Sequence, residues 1–316
     1  REVARNVALE VGYLGSQSRK LTTLVDVNRF DPATLASTPH RVLNEIGSVD
    51  DFRFSFTPEF ENAVNANYNA LQTKLSKKAT STPILGTTYF TLAYTWSHTI
   101  DNSSGFRNRN SEVPFFQRNV FRTSSDFDIR HLLSFSGGWD LPFDQAWSKG
   151  PKRLTQGWSL FPIIQWHTGF PLDVSANLST RRSRPGPSGA GDSGLVFATL
   201  TGPVTYSDPH TSTPGTPGNQ YFNGNFSSPS ATTITGSYGS GRNILRGPSR
   251  TNFDLAVAKA TKITERTALQ VRAEFFNLFN HAEFQEPDTN ISSGTFGQVT
   301  STYGARVIQF GGRFTF

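Results

Sequence analysis

The sequence contains no cysteine and no methionine among its 316 residues. Without cysteine the chain can form neither a disulfide framework nor a thiolate metal site, which is compatible with any compartment. A chain that begins with Arg1 and Glu2 and lacks methionine is expected to be a mature form or, more in keeping with its organisation, a fragment. We therefore expect N-terminal domains that are missing from this chain.

Long apolar runs are also missing. No stretch approaches 18 consecutive apolar residues, which argues against a transmembrane helix, and no basic-then-apolar leader opens the chain. Hydrophobic residues make up only 35% of the sequence, whereas aromatic residues reach 13% and include 27 Phe. A disordered chain would be polar but would not carry so many aromatics. A β-barrel in lipid accounts for both, because it exposes apolar side chains on alternate positions and keeps polar ones inside.

The chain carries a formal charge of +6, and a basic balance can indicate nucleic-acid binding. However, its longest basic cluster is the short run at 181–184, and the other charges are scattered. We therefore expect solvated or lumen-facing charges and no nucleic-acid partner.

The C-terminal segment 306–316 alternates strictly between apolar and other side chains. One face holds Ile308, Phe310, Gly312, Phe314 and Phe316. The length is about that of a tilted strand that crosses a bilayer. Similar alternation predicts seven further strands, within 7–13, 67–78, 88–98, 129–141, 156–168, 252–263 and 267–280. Arg272 and Glu274 share one face, which would be costly toward lipid and acceptable toward a wet lumen.

The connections between these strands alternate in length, as in outer-membrane barrels with short periplasmic turns and long extracellular loops. The short connections lie around 77–86, 142–155 and 264–266, and the long ones around 28–65, 99–128, 176–250 and 281–304. The long loops are rich in Gly, Pro, Ser and Thr, above all 183–240. Such a composition is not expected to pack tightly. The predicted fold is all-β: about eight membrane-length antiparallel strands with long extracellular loops.

The amino-acid sequences of several segments, taken in chain order, resemble those of a known family. These segments are 68–78 (YNALQTKLSKK), 91–102 (TLAYTWSHTIDN), 124–143 (SSDFDIRHLLSFSGGWDLPF), 157–174 (GWSLFPIIQWHTGFPLDV), 241–259 (GRNILRGPSRTNFDLAVAK) and 263–284 (ITERTALQVRAEFFNLFNHAEF). Together they resemble the C-terminal barrel region of TonB-dependent receptor-like proteins of the Oar-like type. The resemblance implies that residues 1–316 are the C-terminal portion of a barrel of about 22 strands, whose plug and earlier strands are absent from this chain.

The resemblance also implies a location in the bacterial outer membrane and three partners. These are outer-membrane lipid, the barrel assembly machinery and a TonB complex, the last reached through the missing N-terminal part. The expected function is the wall and the extracellular loops of a protein that moves an unknown substrate across the outer membrane. Three alternatives remain open: a surface protein for adhesion or envelope organisation, an outer-membrane hydrolase, and a complete small barrel.

Potential catalytic or metal-binding groups gather at the ends of two predicted strands: His98, Asp101, Asp126, Asp128, Arg130 and His131. A hydrolase needs a nucleophile beside His and Asp, and a metal site needs three or more converging ligands. No G-x-S-x-G elbow occurs, and the six His are scattered. We expect a hydrogen-bonded strand rim that leads into a loop, with no catalytic residue, cofactor or metal, and hence no enzyme.

Three loop features have an ordinary structural interpretation beside a functional one. Phe115-Phe116 and Tyr221-Phe222 could contact a ligand or fold their own loops. Asn277–His281 is expected to end a strand, with its Asn side chains bonding the loop backbone. The glycine-rich segment 236–241 lacks the G-K-[ST] of a phosphate loop and is expected to be flexible.

The C-terminal strand is the one place where residues can be assigned a role. In outer-membrane barrels, a terminal aromatic residue after alternating apolar ones acts as the recognition and closure strand during assembly. Ile308, Phe310, Phe314 and Phe316 match that pattern. A purely lipid-facing role would explain them equally well, and both roles can hold at once.

Overall fold

A computed structural model describes residues 1–26, 58–105, 119, 121–176, 197–211, 214–227 and 239–316. In chain order its elements are β1 (Glu2–Ala4), β2 (Val7–Asp26), β3 (Pro58–Thr82), β4 (Gly86–Asp101), β5 (Thr123–Ser124), β6 (His131–Leu141), α1 (Phe143–Ala146), α2 (Lys152–Thr155), β7 (Trp158–His167), β8 (Pro171–Leu172), β9 (Thr199–Tyr206), β10 (Asn219–Gln220), β11 (Phe222–Ser227), β12 (Leu245–Arg246), β13 (Arg250–Lys262), β14 (Ala268–Phe276), β15 (Gln298–Val299) and β16 (Val307–Thr315). Neither of the two helices found in these ranges has the length and apolar character needed to span a membrane.

Ten strands form one antiparallel sheet in the order β1-β2-β3-β4-β6-β7-β13-β14-β16, with β5 paired to β4. The long strands therefore follow one another as an up-and-down meander. Within the described residues the sheet does not close, because β16 pairs with β14 alone and β1 with β2 alone. The protein is all-β, and its main sheet is open at both edges.

The pairing register places the predicted apolar positions of all long strands on one face. Directly opposite residues of an antiparallel pair lie on the same face. Phe310 lies opposite Ala273, and Ala273 lies opposite Val257. Val257 in turn lies opposite Leu160. The same face continues through Trp139, Phe135, Leu92, Leu75 and Leu9.

This apolar face is not shielded by a core. Leu269, Phe310 and Phe314 are exposed, and Phe253 and Phe275 are half-buried. The period-two prediction is confirmed, because a soluble sandwich or helical fold would have buried these five side chains.

The opposite face of the sheet is predominantly polar. Arg272 and Glu274 form an ion pair on it with an Nε–Oε1 distance of 2.7 Å. Lys74 and Glu10 form a second, looser pair at 3.8 Å. Two faces of such different polarity are what a sheet between hydrocarbon and water requires.

Aromatic residues mark both ends of the apolar face. On β7, Trp158 and Trp166 are separated by eight strand positions, or about 27 Å along the strand. A tilt of about 40° reduces this to about 20 Å, close to the height of the apolar band of an outer-membrane barrel. The indoles of Trp139 and Trp158 donate hydrogen bonds to the carbonyls of Leu85 (2.5 Å) and Leu154 (2.8 Å) in the short connections.

Short connections lie at one end of the meander and long ones at the other, as predicted. The short ones span 83–85, 142–157 and 263–267. Several boundaries differ from the prediction. β2 continues to Asp26, beyond the strand predicted within 7–13, and β3 begins at Pro58 and continues to Thr82. Residues 58–65 are therefore strand rather than loop, and the connection predicted at 77–86 is a tight turn.

Within the described residues, a cluster of buried apolar side chains lies in the long loops rather than in the main sheet. The cluster consists of Leu172, Val174, Ala176, Ala198, Phe222 and Leu245. Three small antiparallel pairings, β8–β12, β9–β11 and β10–β15, tie these segments together. The prediction that the loop 183–240 does not pack tightly is wrong for its described parts. An average composition hides the few apolar residues that meet from distant segments.

Candidate functional site on the loop side of the sheet

The polar residues predicted at the strand ends form a connected network. Its centre is Asp128, whose side chain is fully buried. One carboxylate oxygen accepts the backbone N–H of Thr99 at 2.6 Å. The other accepts Arg130 Nε at 2.8 Å and a second guanidinium, that of Arg246. Asp128 thus joins the end of β4, the start of β6 and the distant strand β12.

Arg242 is the second anchor of the loops on the sheet. Its side chain is fully buried and donates to Asp101 Oδ1 at 3.2 Å and to Asp126 Oδ1 at 2.6 Å. Ser104 Oγ accepts a further bond at 2.8 Å. Burial alone would lower the pKa of Arg242, but the carboxylates of Asp126 and Asp101 hold it above its ordinary value. The guanidinium therefore stays charged where it is buried.

A tight turn delivers Arg242 to this position. Gly239, Gly241 and Asn243 all have positive φ, at 72°, 85° and 57°. A Cβ on Gly239 would lie 2.0 Å from the carbonyl oxygen of Phe197, so that only glycine fits there. This part of the segment 236–241 is a packed turn, and the expectation of a flexible loop is wrong for it. Residues 236–238 lie outside the described residues.

Asp173 holds the other side of the turn. Its Oδ1 accepts the backbone N–H of Asn243 at 2.7 Å. Burial raises the pKa of the Asp173 carboxyl to about 6, although the Asn243 bond opposes this, and the nearby Asp126 carboxylate adds to it. The turn is thus held partly by a carboxyl group that titrates in the physiological range.

Of the six predicted rim residues, five belong to this network and His131 does not. The His98 Nε2 accepts Arg130 Nη2–H at 2.7 Å and lies 3.2 Å from Ser124 Oγ. The His131 Nδ1 instead forms a hydrogen bond of 2.7 Å with the Tyr94 hydroxyl, and the His131 ring stacks on Trp166. Apart from His131, the rim is the hydrogen-bonded connection to a loop that the sequence predicted.

Sequence reasoning missed Arg242 and Arg246, which come from a loop more than 100 residues farther along the chain. Both lie in the segment GRNILRGPSR (241–250), which contributes to the family resemblance but to no predicted site. One indication of their role was present in the sequence. Arg242 and Arg246 each lie beside a glycine, in a chain whose acidic residues gather at strand ends.

An open polar cavity of about 580 Å³ lies beside the upper ends of β2 and β3. Its walls include three cationic side chains, Arg19, Lys20 and Arg122, and four asparagines: Asn62, Asn65, Asn67 and Asn119. Arg122 donates to Asn67 Oδ1 at 2.5 Å and to Asn102 Oδ1 at 3.2 Å. The cavity combines positive charge with amide donors and acceptors, a chemistry suited to anionic or hydroxylated ligands.

The other predicted loop features have different outcomes. Phe222 is fully buried and meets Phe296 of the last long loop edge-on at 5.2 Å, and Tyr221 meets Tyr206 of its own loop at 5.5 Å. The pair therefore packs within its own loop and against a second one. Asn277 caps the end of β14 as predicted, because its side chain bonds both the N–H and the carbonyl of His281. Phe115-Phe116 lies outside the described residues.

Three of the predicted assembly residues lie on β16, and Phe316 directly follows its last residue, Thr315. Ile308, Phe310, Phe314 and Phe316 are exposed, and Phe316 reaches 93%. Phe316 has one ring contact, with Phe314 at 6.2 Å. Their role in assembly stays a prediction.

No curated protein matches the sequence. The outer membrane transporter YddB from Escherichia coli has a similar solved structure, with a TM-score of 0.48 and 9% sequence identity. The similarity covers 100% of this chain and 31% of that one, so the chain spans about a third of that transporter's length. A family model of the outer membrane beta barrel domain matches residues 1–309. The chain therefore belongs to the outer membrane beta barrel domain family, and its place is the bacterial outer membrane.

Proposed function

We propose that this chain forms part of the wall and the extracellular loops of a TonB-dependent receptor-like protein that moves a substrate across the outer membrane. The observation that carries the proposal is the two-faced register of the sheet. One face is apolar along every long strand, and the other holds the Arg272–Glu274 and Lys74–Glu10 pairs. Such a wall separates lipid from a water-filled lumen.

The open sheet supports a large barrel. Eight strands that close have an interior just wide enough for their own side chains, whereas larger barrels leave a lumen for a channel or a plug. The described long strands form a meander without closure. We propose that they are an arc of a barrel of about 22 strands of the Oar-like type.

Loop architecture supports a role in substrate capture. The short connections face the periplasm in this proposal, and the packed loops and the polar cavity face the outside. The cavity with Arg19, Lys20 and Arg122 lies where an incoming substrate first meets the protein. Outer-membrane lipid, the barrel assembly machinery and a TonB complex are the proposed partners.

We also propose that the chain carries no enzymatic chemistry. In a hydrolase, His98 would accept the proton of Ser124, but Arg130 already donates to the same nitrogen at 2.7 Å. Asp128 would have to orient His98, but its oxygens accept Thr99, Arg130 and Arg246 instead. This arrangement supports an anchoring role for the rim.

Growth tests distinguish transport from its alternative, adhesion or envelope organisation. Cells without the full-length protein are supplied with iron chelates, vitamins or oligosaccharides, each at a limiting concentration. Transport predicts a growth defect on one nutrient class, rescue by a plasmid copy and no rescue in cells without the TonB complex. Adhesion predicts normal growth on all of them and reduced surface attachment.

A cavity variant connects the phenotype to this chain. Replacing Arg19 and Lys20 with glutamine is expected to raise the nutrient concentration needed for half-maximal growth. Lys152→Gln, an exposed change at the opposite end of the sheet, is the matched control. Equal growth curves for both variants, at equal barrel amounts, would exclude the cavity from substrate capture.

A further inference from the structure

Two histidines from different loops meet on the outer side of the protein. His210 follows β9, and His281 follows β14, 71 residues later. Their Nε2 atoms are 3.0 Å apart. Both side chains are about half exposed to solvent.

The other nitrogen of each ring is held by a carboxylate. His210 Nδ1 lies 2.7 Å from Asp208 Oδ1, and His281 Nδ1 lies 3.1 Å from Glu283 Oε1. Because an ionised carboxylate only accepts hydrogen bonds, each Nδ1 must carry the hydrogen. In two neutral rings both Nε2 atoms then present lone pairs to each other at 3.0 Å. This arrangement is repulsive unless a cation lies between the lone pairs.

The ring separation indicates which cation fits. Two Nε2 ligands about 2.05 Å from a common metal ion, with 3.0 Å between them, subtend an angle of about 94° at the ion. With each Nε2 on the line from ring centre to ion, the ring centroids would be about 4.7 Å apart. The observed centroid separation is 4.7 Å. A straight N–H···N hydrogen bond of this length would separate the centroids by about 5.3 Å.

Both histidines are fixed before any ion arrives. The His210 backbone N–H also donates to Asp208 Oδ1, and the Phe284 ring packs edge-on against the His210 ring at 4.8 Å. Glu283 is buried, and its second oxygen accepts the N–H of Thr251 at 2.8 Å. Carboxylates that orient histidine ligands through Nδ1 are the usual outer shell of a protein metal site.

We propose that His210 and His281 bind one divalent transition-metal ion between their Nε2 atoms, with Asp208 and Glu283 as orienting partners. Imidazole ligands suit Cu²⁺, Ni²⁺ and Zn²⁺, and an angle near 90° favours the tetragonal geometry of Cu²⁺ or Ni²⁺. Across 1–26, 58–105, 119, 121–176, 197–211, 214–227 and 239–316, no group of three or more His, Cys, Asp or Glu could hold a metal. In this proposal the described residues supply two ligands, and water completes the coordination. The ion would join two loops that are far apart in the chain.

The experiment uses the full-length protein in detergent, purified without a polyhistidine tag, freed of metal with a chelator and titrated with Cu²⁺ alone. The expected result is one equivalent bound by calorimetry and a Cu²⁺ electron paramagnetic resonance spectrum with coupling to two nitrogens. Either His210→Gln or His281→Gln removes this site, and the double variant loses no more than each single variant. Asp208→Asn weakens binding by about 10- to 100-fold.

His167→Gln is the matched control, because its Nδ1 bonds the neighbouring carbonyl of Thr168 rather than another histidine. This variant is expected to bind Cu²⁺ like the unchanged protein. Heat-modifiable migration in gels verifies that every variant is folded. The proposal is overturned if the folded wild type binds no more Cu²⁺ than the double variant, as a proton shared by the two rings would produce. It is equally overturned if either single variant keeps the two-nitrogen spectrum.

Discussion

Arg242 and Asp101 are 141 positions apart in the chain and form an ion pair in which both side chains are buried, with 3.2 Å between Nη1 and Oδ1. Asp101 ends the strand β4, and Arg242 lies in the turn before β12. The pair therefore connects the long loops to the main sheet. Because the removal of one partner leaves a buried charge without compensation, such pairs dominate local stability when they are broken.

Arg242→Met is expected to release the turn 239–246 from the sheet. The loss corresponds to about 3–5 kcal/mol, or amide hydrogen exchange about 150- to 5,000-fold faster in this turn. Exchange measured by mass spectrometry on the folded barrel tests this. Arg266→Met changes an exposed arginine in a short connection and serves as the control.

A second substitution separates charge from packing. Asp101→Asn removes the carboxylate charge, so that adding it to Arg242→Met should restore part of the lost protection. If Arg242→Met leaves exchange of the turn unchanged, the loops are held by their apolar cluster and the ion pair is of no consequence.

Docking of the same turn is expected to depend on pH through Asp173. The pKa of this carboxyl rises from its ordinary value of 3.8 to about 6 in the folded protein, because burial disfavours its charge. The folded state thus binds the proton more tightly. Its contribution to stability is complete below pH 3.8 and is lost as the pH rises through about 6, at a cost of about 3 kcal/mol.

Asp173→Asn should remove this dependence. Above pH 6, the amides of 239–246 are expected to be more protected from exchange in the variant than in the wild type. The exchange rates are corrected for the intrinsic effect of pH. Below pH 4 the two proteins should agree. Glu265→Gln, an exposed acid in the connection between β13 and β14, controls for net charge. A wild-type profile that is flat between pH 4 and 7 would contradict the assigned pKa.

The two faces of β4 are expected to tolerate arginine to different degrees. Leu92 lies on the apolar face opposite Leu75 and Phe135, and Thr91 lies on the polar face opposite Ser76 and Ser136. Leu92→Arg should cost about 2–4 kcal/mol near the middle of the bilayer, whereas Thr91→Arg should cost less than about 1 kcal/mol. Unfolding of the full-length barrel from lipid vesicles by denaturant measures both. Equal costs would mean that the apolar face does not contact lipid.

The strands were predictable because alternation is a local property of the sequence. Phe310, Phe314 and their neighbours show the period within ten residues, and the register then aligns them with Leu269 and Ala273. The lengths of β2 and β3 were not predictable, because they have 20 and 25 residues and exceed a membrane crossing. Beyond the bilayer, residues such as Gln17 and Lys20 meet water on both faces, and the alternation disappears.

The loop contacts were out of reach for a different reason. Asp128 and Arg130 were identified as a cluster because they are close in sequence, but Arg246 joins them from 118 residues away. The same holds for His210 and His281, which are 71 residues apart in the sequence but in contact in the fold. Only the fold of the loops brings such residues together, and nothing in their local sequence specifies it.

The residue that follows β16, Phe316, has a predicted role in assembly that can be tested apart from stability. Phe316 is 93% exposed and has one ring contact, with Phe314, so its removal costs the folded sheet little. If it serves recognition during assembly, deleting Phe316 or changing it to alanine should reduce insertion of the full-length protein several-fold. Val307→Ala, a change of an exposed residue at the other end of the strand, should not. Heat-modifiable barrel is quantified in purified outer membranes, and unchanged amounts after loss of Phe316 would leave the residue with a lipid-facing role alone.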